Sequence, residues 1–380
     1  MSDWRMSTPK RLVSGIGSVD QLPLLLHEMH LRRPFVVIDP IVEKTAFGLK
    51  VLSLMETSKN QRFVDFVTNP TFVHVEKALQ AFIEFGCDSI VSIGGGSAID
   101  LAKVVGLVAA NGGQVEDYFH GKKTEIRPVP LIAIPTTCGT GAESSPFAVI
   151  MDPLIPKKRG VENPFLMPTT VILDPESLST LSRVMVAATG MDVFAHVLES
   201  HLSKKATVLT RLVSRGLLYS IRSSLEKAIF NREIHALEVM LNIAFTARLL
   251  YPRTGLTIAH ALSHPLGAHT NIHHGLAVVV FLQSSLEFNL PACKALLLDI
   301  EATLGLGREG LSLFSWLEAI VSNSGMKDMI VSALANQNLQ IERIASEAQE
   351  SSNIPSNPRE IQSNDICDII RSSLLRFTNG

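Results

Sequence analysis

The chain changes texture near residue 178, and this change constrains its architecture more than any other feature. Before that point short apolar runs alternate with stretches of helical period. Residues 34–39, 88–93, 129–134 and 170–174 have the length and β-branched content of buried strands. Between them, residues 73–85 and 98–110 space their apolar side chains as a helix does. Strands that are apolar throughout need cover on both faces, and strands separated by a helix pair in parallel. Residues 1–178 are therefore expected to form an α/β domain. Beyond the turn-like Asp174-Pro175-Glu176 the strand signals fade. Residues 184–202, 207–229, 235–250, 311–325 and 328–337 read as amphipathic helices, so 179–380 is expected to be an all-helical domain. A chain of 380 residues accommodates two such domains.

Composition narrows the function classes. At 46% hydrophobic and 18% charged the chain buries a large core, and the excess of apolar residues predicts a homodimer or higher homo-oligomer. A net charge of −2 offers no basic surface for nucleic acid or an anionic membrane. Cys87, Cys138, Cys293 and Cys367 are widely separated and include no C-x-x-C pair, which fits neither a zinc knot nor a disulfide framework. The N-terminus lacks the apolar core of a signal peptide, and no uninterrupted apolar run reaches the roughly 20 residues of a membrane span. These features predict a soluble protein in a reducing cytoplasm.

Two loops carry phosphate-binding chemistry. After the strand at 88–93 comes Gly94-Gly95-Gly96-Ser97, followed by a helix through Asp100 and Lys103. Glycines let backbone approach a phosphate, and a helix N-terminus favours its charge. The spacing is neither G-x-G-x-x-G nor a P-loop, and a plain turn with Ser97 and Asp100 as a capping box would look the same locally. The second loop, Pro135-Thr136-Thr137-Cys138-Gly139-Thr140-Gly141-Ala142-Glu143, also follows a strand and offers three hydroxyls. Two such loops at neighbouring strand ends make a crevice that suits a dinucleotide, as in a Rossmann-like domain.

A metal constellation follows in the helical half. Asp192 and His196 are four apart, on one face of a helix. Five of the chain's 12 histidines lie between His260 and His274. An isolated histidine in an apolar stretch is ordinarily a core residue, but five clustered among Gly and Pro are hard to explain that way. Imidazole and carboxylate suit Fe(II), Zn(II), Mn(II), Co(II) or Ni(II), and the lack of a nearby thiolate argues against structural zinc. Spacing does not choose among the histidines, since His260/His264 and His269/His273 are both i,i+4 pairs.

Together these segments resemble the iron-containing (group III) alcohol dehydrogenases. The family's GGGSxxDxAK element matches 94–103, PTTxGTGxE matches 135–143 and GxDxxxH matches 190–196. HxxxHPLG matches 260–267, followed by His274-Gly275 and a late Asn357-Pro358-Arg359. The motifs keep the family's order along nearly the whole chain. The resemblance implies a dehydroquinate synthase-like architecture, with a Rossmann-like dinucleotide-binding domain preceding an all-α metal-binding, catalytic domain. It further implies NAD(H) and one divalent metal, usually Fe(II) and sometimes Zn(II), held by Asp192, His196, His260 and His274. His264 would be the unligated catalytic histidine near the nicotinamide that relays the proton, and His269 and His273 would be non-ligands. Asp39 would lie at the adenosine ribose, where a carboxylate accepts from the hydroxyls and repels a 2′-phosphate. Asn69, Gly95, Gly96, Ser97, Asp100, Thr136, Thr137, Thr140, Lys158 and Leu178 fall on cofactor-contacting positions.

The implied reaction interconverts a small primary alcohol and its aldehyde. Departures from the family bear on the substrate. Arg248 stands where glycine is common, Tyr251 where phenylalanine is frequent, and Arg253 where asparagine is usual. Tyr251, Arg253 and Phe147 are the candidate substrate residues. Arg253, and after it Arg248, suits a carboxylate, sulfonate or phosphonate on the aldehyde, because guanidinium grips such oxyanions bidentately. Pairing of either arginine with an acidic neighbour is the plainer alternative. Other relatives on the fold compete: a glycerol dehydrogenase, a maleylacetate reductase or a dehydroquinate synthase-like cyclase. The four-ligand set disfavours them, and complete motifs disfavour a non-catalytic, oligomer-forming relative.

Overall fold

The computed structural model describes residues 7–55, 61–152, 157–335 and 337–378. It divides into two compact units, Met1–Thr180 and Leu181–Gly380.

Among its described residues the first unit holds eight strands: β1 (Arg11–Ser14), β2 (Pro34–Ile38), β3 (Arg62–Phe63), β4 (Ser89–Gly94), β5 (Leu131–Pro135), β6 (Phe147–Asp152), β7 (Lys157–Glu162) and β8 (Thr170–Leu173). Six form one sheet in the order β1-β8-β5-β4-β2-β3, with every pairing parallel. The other two, β6 and β7, form an antiparallel hairpin. The helices of this unit are α1 (Leu22–Glu28), α2 (Ala46–Met55), α3 (Phe72–Glu84), α4 (Gly96–Asn111) and α5 (Val115–Phe119). Alternation along the central strands explains why they are apolar throughout. Phe35, Val37 and Ile90 enter one core with residues of α3, α4 and α5. Val36, Ile38, Val91 and Ile93 enter another with residues of α1 and α2. From β2 the chain steps to one side for β3 and then to the other for β4. The carboxyl ends of β2 and β4 therefore border a topological switch point, the usual place for a ligand in such a sheet.

The second unit is helical, with no strand among its described residues: α6 (Arg183–Leu202), α7 (Val208–Glu226), α8 (Ile234–Thr254), α9 (Ile258–Thr270), α10 (His274–Leu304), α11 (Leu313–Ser324), α12 (Met326–Leu334), α13 (Ile341–Gln349) and α14 (Ser363–Thr378). Ser182 starts α6 by accepting the Met185 N–H, as an N-cap should. From Val186 onward every residue of α6 is buried, so it forms the centre of this unit. Sequence period did not identify the histidine-rich segment as helix, yet it forms α9 and the start of α10, with Pro265 and Pro291 inside them. By length and composition α8 and α10 could cross a bilayer, but 50% and 67% of their apolar windows are buried inside the molecule, as in core helices.

Candidate metal centre and cofactor loops

The metal candidates come from three helices of the second unit. On α6, Asp192 and His196 share a face; α9 brings His260 on its first turn, and α10 begins at His274. Their ligand atoms all lie within 4.8 Å of one another. Asp192 Oδ1 sits 3.8, 3.5 and 3.7 Å from Nε2 of His196, His260 and His274. Ligands about 2.1 Å from one cation at tetrahedral angles would be about 3.4 Å apart, which this spacing approaches. Asp192 is 2% exposed and His260 1%, yet Asp192 Oδ1 and His260 Nε2 have no hydrogen-bond partner among the described residues. Buried polar atoms are nearly always paired, so orphaned atoms aimed at one point fit a shared cation.

The electrostatics agree. Burial would raise the Asp192 carboxyl, but His196, His274 and His260 around it hold it well below the usual range. Burial is also the main influence on His196, pushing it down to about 3; His260 and Arg248 add to the fall and Asp192 opposes it. His260 goes the other way: the nearby Glu199 and Asp192 carboxylates outweigh burial and push it up to about 9. The opposite directions follow from the carboxylates each ring faces, Asp192 alone for His196 and both Asp192 and Glu199 for His260. Two carboxylates, Asp192 and the 1%-exposed Glu199, are buried together, and the pocket demands positive charge.

The remaining histidines are engaged elsewhere or exposed. His273 is the N-cap of α10, its Nδ1 accepting the Gly275 N–H at 3.2 Å. His269 Nε2 pairs with Glu347 at 3.0 Å. His264 is exposed, its ring 5.4 Å from that of His274. Tyr251 stacks on His196 at 4.6 Å, and the Arg248 guanidinium lies 4.3 Å from the Tyr251 ring centre. Arg253, in the last turn of α8, is exposed.

In the first unit the two polar loops meet. A Cβ on Gly95 would fall 3.3 Å from Thr137, and one on Gly96 3.0 Å from Thr140 Oγ1, so only glycine leaves this space open. The Thr136 N–H donates to Gly94 O at 3.1 Å, joining the ends of β4 and β5. Ser97 and Asp100 do not form a capping box. Ser97 Oγ accepts from the Asn69 N–H and Asp100 from the Val149 N–H, while the N-cap, Gly95, supplies no side-chain cap. Asn69 takes the left-handed conformation at φ 63°. Asp39, at the end of β2, accepts from Ile41 and Val42 N–H through Oδ1, so it does close a turn. Phe147 opens β6, and Leu178 is fully buried. Lys158 lies on β7 opposite Met151, but its side chain is outside the described residues.

Sequence reasoning gave no role to two buried residues. Lys103 on α4 donates to Ala142 O and Phe147 O at 2.7 and 2.8 Å, anchoring the threonine loop. Glu199 lies 3.2 Å from His260 Nδ1 and accepts the Thr257 N–H. Its signal was available, since Asp192, His196 and Glu199 follow i, i+4, i+7 spacing on one helical face.

Comparison with known proteins converges on one family. Residues 9–175 match the model of the iron-containing alcohol dehydrogenases, and residues 186–374 match that of the family's C-terminal region. The NAD-dependent methanol dehydrogenase of Bacillus methanolicus is 33% identical over 385 residues, covering 96% of this chain and 98% of that protein. The 4-hydroxybutyrate dehydrogenase of Cupriavidus necator is 32% identical over 286 residues, 73% of this chain and 74% of the relative. In fold, the sulfoacetaldehyde reductase of Bifidobacterium kashiwanohense, solved with NAD+, superposes with a TM-score of 0.87 at 22% identity, covering all of both chains. The chain belongs to the iron-containing alcohol dehydrogenase family and is an oxidoreductase.

Proposed function

We propose that the chain is an NAD(H)-dependent, divalent-metal alcohol dehydrogenase or aldehyde reductase, with Asp192, His196, His260 and His274 holding the metal. The observation that carries this is the convergence of three imidazoles, two of them buried, on the buried Asp192 Oδ1, an oxygen with no hydrogen-bond partner among the described residues. Bound there, the cation, Fe(II) in our reading with Zn(II) as the alternative, would supply Lewis acidity toward the substrate oxygen, and the nicotinamide the hydride. His264, exposed and beside His274, is suited to exchange the proton with water. Gly95, Gly96, Ser97, Thr136, Thr137 and Thr140, with Asn69 and Asp100, would seat the dinucleotide phosphates and nicotinamide, with Lys158 and Leu178 completing the set. Asp39 would take the adenosine ribose and disfavour NADP(H). All four cysteines are free thiols, which suits the reducing cytoplasm where we place the enzyme.

Metal removal tests this directly. Anaerobically purified protein should carry close to one equivalent of metal per chain. Chelation should abolish NADH-linked aldehyde reduction, and Fe(II) or Zn(II) should restore it. Undiminished turnover after stripping rules the proposal out.

The relatives' names span a neutral alcohol, methanol, and charged compounds, 4-hydroxybutyrate and sulfoacetaldehyde. For this chain we favour an anionic aldehyde, with Arg248 ahead of Arg253 as its partner. Arg248 reaches the cluster through the ring of Tyr251 stacked on His196, whereas Arg253 is exposed at the helix end. Arg248→Met should lower kcat/KM for an aldehyde bearing a carboxylate or sulfonate by about 10- to 100-fold, the worth of a charge-assisted hydrogen bond. Neutral aldehydes should change much less. An equal loss for both kinds would discard the anion and leave Arg248 a packing role.

A further inference from the structure

We infer that Glu199 is a positioning residue that makes His260 competent to ligate metal, by fixing both its proton and the helix that carries it. The inference rests on the metal reading of the Asp192 cluster. Glu199 is 1% exposed and follows the ligand His196 by one turn of α6. Its Oε1 lies 3.2 Å from His260 Nδ1, within ion-pair distance but outside hydrogen-bond geometry, so the two buried atoms face each other without another partner among the described residues. Its Oε2 accepts the N–H of Thr257, the N-cap of α9, three residues before His260.

The side chain therefore caps a backbone donor with one oxygen and places the other beside an imidazole nitrogen. An imidazole can give Nε2 to a metal only if its remaining proton sits on Nδ1, and an acceptor beside Nδ1 selects that tautomer. Glu199 supplies it. The same carboxylate satisfies a backbone donor at the start of α9, where orphan N–H groups must find partners. The neighbouring donors are held as well: Leu256 N–H by Asn353 Oδ1 and Ile258 N–H by Asn357 Oδ1, each at 3.3 Å. Asn357 in turn exchanges hydrogen bonds with Asn289, at 3.0 and 2.7 Å. Among the described residues, Glu199 caps this helix end and also lies beside a candidate ligand.

Glutamine separates the two duties. It keeps the volume but offers one acceptor and one donor. With its oxygen turned to Thr257, its amide N–H faces His260 Nδ1 and forces the proton onto Nε2. With its oxygen turned to His260, the amide opposes the Thr257 N–H. A carboxylate is needed because the Thr257 N–H donates and the inferred tautomer makes Nδ1 a donor as well.

The experiment measures Co(II) affinity and the Co(II) visible spectrum in the wild type and in Glu199→Gln, together with the thermal midpoint of each metal-free protein. The expected result is a 10- to 100-fold weaker Co(II) affinity with an altered spectrum, the usual cost of losing an outer-shell partner. The metal-free midpoints should stay close, since glutamine can keep the cap. Co(II) affinity within twofold of wild type overturns the inference. So does a fall in the metal-free midpoint with unchanged affinity and spectrum, which would leave Glu199 only a cap. If the variant does not fold, the Zn(II)-loaded wild type decides by NMR of its ring nitrogens. His260 should keep a slowly exchanging proton on Nδ1, and a deprotonated or freely exchanging Nδ1 overturns the inference. A wild type that takes up no Co(II) defeats the metal reading itself and this inference with it.

Discussion

Asp192→Asn should lower turnover about a thousandfold and strip the protein of most of its metal while leaving the fold in place. Three imidazole nitrogens converge on this one oxygen, and it is the only carboxylate in the cluster. Asparagine preserves the shape, so helix packing should survive and circular dichroism should be unchanged. What is lost is charge. A divalent cation would then face three neutral imidazoles and an amide oxygen, with Glu199 the remaining carboxylate close by. Lewis-acid stabilisation is worth several kcal/mol, and each ~1.4 kcal/mol is a factor of ten, which sets the expected scale. Metal content and NADH-linked turnover should fall together across a concentration series of added Fe(II). An asparagine variant that keeps both would place the metal, and with it the chemistry, elsewhere.

The parts of the site that were legible in the sequence are those whose chemistry is local. Asp192 and His196 declare themselves by an i,i+4 interval, and the glycine and threonine loops by following apolar strands. The strand centres were legible too, because β2, β4, β5 and β8 are buried on both faces and contain little but apolar residues. Elements held by distant partners were not. The edge strands β1 and β3 are four and two residues long and are strands only because β8 and β2 pair with them. In α9 and α10 prolines and histidines interrupt the apolar period, so hydrophobicity does not mark helix where burial in the unit enforces it. Lys103 is a more basic failure of local inference. Lysine is rarely buried, and the carbonyls that satisfy this one belong to residues 39 and 44 positions away. The capping box expected at Ser97 and Asp100 fails likewise, since both side chains accept from backbone of other segments. The choice among five histidines came from family resemblance alone; geometry supplies an independent reason by giving His273 a cap and His269 an acidic partner.

Gly275→Ala should lower the thermal midpoint by about 5–10 °C and weaken metal binding by about a hundredfold. Gly275 is the second residue of α10, directly after His274. A Cβ there would lie 2.3 Å from Ala188 O and 2.8 Å from Ala188 C, both backbone atoms of α6, and 3.4 Å from Asp192 Cβ. No rotamer relieves a clash between backbone and Cβ, so the two helices must separate. Such overpacking costs about 1–3 kcal/mol, and in a unit of this size each kcal/mol moves the midpoint by about 2–4 °C. Separation of α6 from α10 also moves His274 away from Asp192, and a misplacement of about 1 Å at a reacting centre can cost a hundredfold. Gly216→Ala is the control. Gly216 lies within α7 with nothing near its added Cβ, so alanine there should stabilise the protein by up to about 1 kcal/mol through helix propensity. The two substitutions add the same atom to helices of the same unit, and opposite signs are expected because only one of those helices touches another through its glycine. If Gly275→Ala matches wild type in midpoint and metal content, α10 is free to shift, and the close α6–α10 contact does not set the spacing of the ligands.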